Sequence, residues 1–352
     1  MREILKTLVE FRTTHQEENK KEFDKAFDFI ISLIKDYVKG YKLIENNNYK
    51  SLILWKQEKP EIIYMCHLDV VPARDQDFIF REVRNKYLGR GVLDNKFAIS
   101  ALIETLRELK DKNINFGGII TSDEEIGGFN GANYVINKLK FLGKIFIVPD
   151  SGLNFSLETE AKGVLHLKII LKGKKAHGSR PWEGVNALDI FLQGYKRLRK
   201  IFPEYKKPTW KPTLNLGKIS GGQATNQVCD YMAAFLDFRY PFGYKKEQFL
   251  TIVKKIFPKA KIQMIAEGSP IKTDLKNIYI KKWISIAEKI LRRKIEFTKS
   301  YGATDARFLA KYKIPFIIME PKGGNYHADN EWIDKNSLIQ FKKILKSFLE
   351  QQ

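Results

Sequence analysis

Several apolar runs of this chain end in side chains able to bind a metal ion or move a proton. His67 and Asp69 follow the run 62–66. Residues two apart on a strand share a face, so Asp69 can accept the second imidazole N–H and fix the tautomer that frees the other nitrogen for a metal. Asp123, Glu124 and Glu125 follow the run 116–122 and precede Gly127-Gly128. Three adjacent acids at a strand end are costly unless a cation sits there. Asp150 follows the run 145–148, and Asp94 stands between the glycine loop LGRGVLDNK (88–96) and an amphipathic segment. Each has a plainer reading alone: a satisfied histidine, a solvated charge run, an N-cap at Asp94. Together they fall at the carboxyl ends of strands, where open α/β sheets place their sites.

The elements that must position these residues are legible from periodicity. Helical spacing over 4–11 and 23–38 predicts opening helices, and short runs at 51–55 and 62–66 predict neighbouring strands. A helix over 95–109 carries Ile99, Leu102, Ile103, Leu106 and Leu109 on one stripe, which should pack on the sheet. The middle of the chain reads as strand 163–172, helix 185–202, strands 213–219 and 230–239, helix 247–257 and strand 261–266. That order is the split βαβ, ferredoxin-like arrangement. Helices over 278–291, 305–311 and 338–349 and a strand over 315–319 complete the outer region. The expected fold is α/β. A catalytic domain with a mixed sheet flanked by helices (1–161 and 269–352) receives an inserted ferredoxin-like α+β domain (162–268).

With 352 residues, 43% of them hydrophobic, the chain is long enough for two cores. It has no signal-peptide pattern and no apolar run near the roughly 20 residues of a membrane span, so a cytoplasmic location without membrane contact is expected. Cys66 and Cys229 form no CxxC pair, and no disulfide framework is expected. The net charge of +21 raises nucleic acid as a partner, but the lysines are dispersed and no Arg-rich arm, zinc finger or RNP pattern accompanies them. A lysine-rich surface that steers anionic substrates is expected instead, with no nucleic-acid partner.

HLDVVP (67–72), GRGVLDNK (89–96), TSDEEIGG (121–128) and PDSG (149–152), in this order, resemble the metal-binding motifs of one family. It is the dinuclear zinc peptidase and amidohydrolase family of succinyl-diaminopimelate desuccinylase, acetylornithine deacetylase, aminoacylase, glutamate carboxypeptidases and several di- and tripeptidases. KAHGSRPWEGVNA (175–187), GGQATN (221–226), DFR (237–239), GATDARF (302–308) and HADNE (327–331) continue the resemblance along the whole chain. Three positions depart from the usual pattern. Cys66 and Phe97 replace customary glycines, and Gln227-Val228-Cys229 stands where Ile-Pro often follows the asparagine.

Carried over residue by residue, the resemblance implies that His67 and Asp150 hold one metal, Glu125 and His327 another, and that Asp94 bridges them. It implies Glu124 as general base, His177 as an oxyanion donor to the active site of a partner subunit, and Asn226 and Arg239 as substrate contacts. A homodimer is implied, with the insert serving as dimerisation and lid domain. Two histidines and three carboxylates suit a pair of divalent cations, Zn²⁺ first, with Co²⁺ or Mn²⁺ possible. The expected substrate is a small dipeptide or N-acyl amino acid with a free carboxylate. Asp150 leans the expectation toward peptidase action, with an amino-acid deacylase as the rival. A catalytically silent dimeric binding protein is the alternative of another class; its mark would be a missing ligand or base, and none is missing. His15 and His166 match nothing and are read as structural.

Overall fold

The computed structural model describes residues 1–351. The chain divides into two compact units. The first comprises Met1–Thr159, Thr273–Lys299 and Thr304–Gln352; the second comprises Glu160–Lys272 and Ser300–Ala303.

The first unit is built on a six-stranded mixed sheet ordered Gly40–Asn46, Tyr49–Trp55, Phe116–Thr121, Ile62–His67, Ile145–Ile147, Phe316–Ile317. Every residue of Ile62–His67 and Phe116–Thr121 is buried, the pattern of parallel strands covered on both faces. Their continuous apolar runs follow from this. The parallel register sets His67 beside Thr121 and Tyr64 beside Ile147. Segments 68–69, 122–125 and 148–150 therefore leave the sheet from one end. The stripe Ile99, Leu102, Ile103, Leu106 and Leu109 is wholly buried. The ring of Trp283 contacts Phe341 and Phe348 edge-on, tying helix Ile278–Leu291 to helix Lys335–Glu350.

Gly40–Asn46 was not expected as a strand. It pairs antiparallel with Tyr49–Trp55 through a tight turn in which Asn47 and Asn48 have φ of 51° and 67°. Asparagine tolerates this left-handed region better than other non-glycine residues. The strand's half-exposed pattern leaves no periodic signal in the sequence.

The second unit is a four-stranded antiparallel sheet ordered Thr213–Gly221, Tyr231–Tyr240, Gly163–Lys172, Lys261–Gly268. Helices Ala187–Ile201 and Lys246–Ile256 pack through Phe191, Leu198, Phe249 and Val253 against Leu165, Leu167, Leu236 and Phe238 of its strands. The element order is β-α-β-β-α-β with a 2-3-1-4 sheet, the ferredoxin-like arrangement. Among the described residues no helix is long and apolar enough to cross a membrane.

Candidate metal centre

Asp94 lies between two histidines that are distant in sequence. Its Oδ1 is 3.0 Å from Nε2 of His67, and its Oδ2 is 3.1 Å from Nε2 of His327. Asp150 Oδ1 lies 3.4 Å from the same nitrogen of His67, and Glu125 Oε2 lies 3.2 Å from that of His327. Two clusters result, His67–Asp94–Asp150 and Asp94–Glu125–His327, which share Asp94. The helix that follows starts at Lys96 with Asn95 in the cap position, so Asp94 is not its N-cap. The Asp94–Asn95 peptide is cis, and the Asn95 amide donates to the Pro149 carbonyl, joining this loop to the one that carries Asp150.

The donor set fits divalent cations. Nδ1 of His67 donates to the main-chain carbonyl of Asp69 at 3.0 Å, while the Asp69 carboxylate stands 3.5 Å away. The tautomer is thus set by a backbone oxygen rather than by the carboxylate expected from the sequence. Nε2 then carries a lone pair directed at two carboxylates, and both it and Glu125 Oε1 are buried without a hydrogen-bond partner. Acceptors converging this closely require a proton or a cation among them.

In the metal-free protein protons fill that role. Hydrogen bonds to Asp94 and Glu125 push His327 up to about 10. Burial disfavours a charged His67, but Asp150, Asp69 and Asp94 outweigh it and hold its pKa well above the ordinary value. The same histidines keep Asp94 below the usual carboxylate range despite its burial. Metal loading at pH 7 must therefore displace protons. Calorimetry in buffers of different ionisation enthalpy should show proton release, and affinity should fall as pH falls.

The remaining acids are held in distinct ways. Asp123 turns inward and accepts the amides of Asn130 and Gly131 at 2.8 and 3.0 Å, so it clamps a loop rather than facing the centre. Asp69, fully buried, accepts the amides of Glu124 and Glu125 at 3.2 and 2.9 Å and Nε2 of His15 at 3.1 Å. Burial, then the charges of Asp150 and Asp305, push Glu124 well above the carboxylate range. Glu124 belongs to neither ligand cluster.

Sequence reasoning missed the support beneath Asp94. Glu331 accepts the amides of Gly91, Leu93 and Asp94 at 3.0, 2.8 and 3.0 Å, and Arg90 donates to it at 2.8 Å. Both side chains of this pair are buried. Glu331→Ala would strand the Arg90 charge and three amides, and should cost about 3–5 kcal/mol in denaturant unfolding of the metal-free chain. Cys66 and Phe97, which replace glycines of the usual pattern, are buried in the core of the first unit, Phe97 edge-on to Phe341. Neither displaces a candidate ligand.

His177, Asn226 and Arg239 all belong to the second unit. His177 is exposed, and its Nδ1 accepts the Ser179 amide at 3.2 Å, which leaves the proton on Nε2. Asn226 is exposed, and its carbonyl accepts the Gly178 amide at 2.7 Å. Arg239 Nε donates to Asp237 at 2.9 Å, and His166 Nε2 lies 3.3 Å from the same carboxylate.

Paired histidine–carboxylate clusters that share Asp94 form a candidate centre for divalent cations. Residues 63–351 match Peptidase family M20/M25/M40, and the chain belongs to that family as a hydrolase acting on amide bonds. It is 27% identical to an uncharacterized metallohydrolase of Methanocaldococcus jannaschii, over 94% of each chain. It is 24% identical to succinyl-diaminopimelate desuccinylase of Sulfurimonas denitrificans, over 91% of this chain and 93% of the relative. Its fold superposes on an M20 family metallo-carboxypeptidase of Sulfolobus solfataricus with a TM-score of 0.80 at 19% identity, over 98% and 97% of the two chains.

Proposed function

We propose that the chain hydrolyses an amide bond in a small dipeptide or N-acyl amino acid, using two divalent cations held by His67, Asp94, Asp150, Glu125 and His327. The observation that carries this reading is the Asp94 carboxylate, with one oxygen on each histidine. Cations bound there supply Lewis acidity, which acidifies a water and polarises the scissile carbonyl. Zn²⁺ is the best match to two imidazoles and three carboxylates, and Co²⁺ and Mn²⁺ fit the same donors.

Glu124 takes the proton of the attacking water as its oxygen bonds to the carbonyl carbon. It returns that proton to the nitrogen as the C–N bond breaks. Burial and the neighbouring carboxylates raise the affinity of Glu124 for a proton, which suits a group that takes one and gives it back. His177, with its proton on Nε2, is a donor for the oxyanion, and Arg239 offers a fork for the substrate carboxylate.

A panel of dipeptides against N-acetyl and N-succinyl amino acids separates the two substrate classes. The aspartate at position 150 favours turnover of dipeptides first, and the desuccinylase relative keeps the acyl substrates in the panel.

We further infer a homodimer in which His177 serves the neighbouring subunit's site. Chains carrying Glu124→Ala and chains carrying His177→Ala should each be inactive. Mixed at random, half of the dimers contain one repaired site of two, so about a quarter of normal activity should return. Mixed dimers seen by mass measurement without recovered activity would place His177 elsewhere in the mechanism.

A further inference from the structure

His15 is the one histidine of the first unit outside the ligand clusters, yet it touches a side chain of the centre. Its Nε2 lies 3.1 Å from Asp69 Oδ2. Asp69 Oδ2 also accepts the amide of Glu125 at 2.9 Å, and Oδ1 accepts that of Glu124 at 3.2 Å. The segment bearing His15 is itself fixed to the sheet end. Thr13 Oγ1 donates to the Leu68 carbonyl at 2.7 Å, the Val70 amide donates to the Thr13 carbonyl at 2.9 Å, and Lys96 Nζ donates to the Phe11 carbonyl at 2.8 Å. The imidazole stacks on Phe23, with centroids 5.5 Å apart at 25°, and meets Tyr49 edge-on at 5.6 Å. Two aromatic rings thus fix its plane while its nitrogen faces a wholly buried carboxylate.

We propose that His15 is a positioning residue. By donating from Nε2 to Asp69 it fixes the rotation of the carboxylate that holds the amides of Glu124 and Glu125, and so sets where the base and its neighbouring ligand point. This rests on the proposed roles of Glu124 and Glu125. Asp69 lies 55 and 56 residues before the two amides that it accepts, so its orientation is not fixed by local chain geometry. The donors on its two oxygens fix it instead. Without His15, Oδ2 keeps a single donor, the amide of Glu125, and the carboxylate can turn. The expected loss is that of an outer-shell partner, about 10–100-fold.

The test uses the full chain with His15→Ala and His15→Gln, the glutamine amide restoring a donor of similar reach. In metal-loaded protein, His15→Ala should lower kcat about 10–100-fold with KM within about twofold, and His15→Gln should recover most of it. On an Asp69→Asn background His15→Ala should add little, because the two act in series. In metal-free protein the amide resonances of Glu124 and Glu125 should shift in His15→Ala and return toward their original positions in His15→Gln. This readout needs no substrate, so it stands even if wild-type protein turns over none of the panel, a result that would count against the proposed reaction and not against His15. Unmoved Glu124 and Glu125 resonances overturn the proposal, as does a kcat within twofold of wild type. A His15→Gln variant no better than His15→Ala overturns it too. Should His15→Ala fail to fold, His15→Gln and His15→Phe carry the same comparison, with the donor kept in one and lost in the other.

Discussion

Glu124→Gln should retain about two metals per chain and lower kcat by 10²-fold or more, with KM little changed, the scale of losing a general base. Its amide is pinned by Asp69, its carboxyl stands apart from both ligand clusters, and its surroundings raise its affinity for a proton. Glutamine preserves the shape and the amide anchor but cannot take the proton. Glu125→Gln should do the opposite and lose one metal, because Glu125 Oε2 is among the oxygens gathered around His327 Nε2. Metal analysis beside steady-state kinetics distinguishes the two. Metal loss in Glu124→Gln with retention in Glu125→Gln would reverse the assignment.

Asp94→Ala should be more damaging still. Each cluster would keep a histidine and one carboxylate, and both would lose the oxygen that they share. Metal content should fall from about two to below one per chain, and activity should fall below that of Glu124→Gln, since the cations and what they do to water are lost together. Asp150→Ala, which touches one cluster only, should lose about one metal. A variant at Asp94 that still bound two ions would mean that the carboxylate is not shared.

Much of the candidate centre was legible because strand ends and chemistry coincide in sequence. Buried parallel strands read as apolar runs, and the acids that end them stand out against that background: His67 after 62–66, Glu124 and Glu125 after 116–122, Asp150 after 145–148. The order of the insert was equally plain, since its strands and helices have distinct periods and buried faces. What stayed hidden depends on contacts between residues far apart in the chain. Glu331 meets Arg90 and the Asp94 loop across about 240 residues, and His15 meets Asp69 across 54. Arg90, Glu331 and Asp69 lie in recognisable motifs, but no local pattern marks the pairing. Asp123 looked like its neighbours but turns the other way, because the amides of Asn130 and Gly131 stand on its side of the strand end. The strand Gly40–Asn46 escaped notice because its side chains are largely half-buried or exposed, so pairing with Tyr49–Trp55 rather than hydrophobic alternation defines it.

We propose amide hydrolysis through cations held around Asp94. Its most direct test is a metal titration of chelator-stripped protein, following hydrolysis of the dipeptide and N-acyl amino acid panel as Zn²⁺ is added. Turnover of one substrate class should be absent at the start, rise with added metal and level off at about two equivalents per chain. Turnover undiminished in the stripped protein, or no turnover of any amide with two ions bound, would contradict the account.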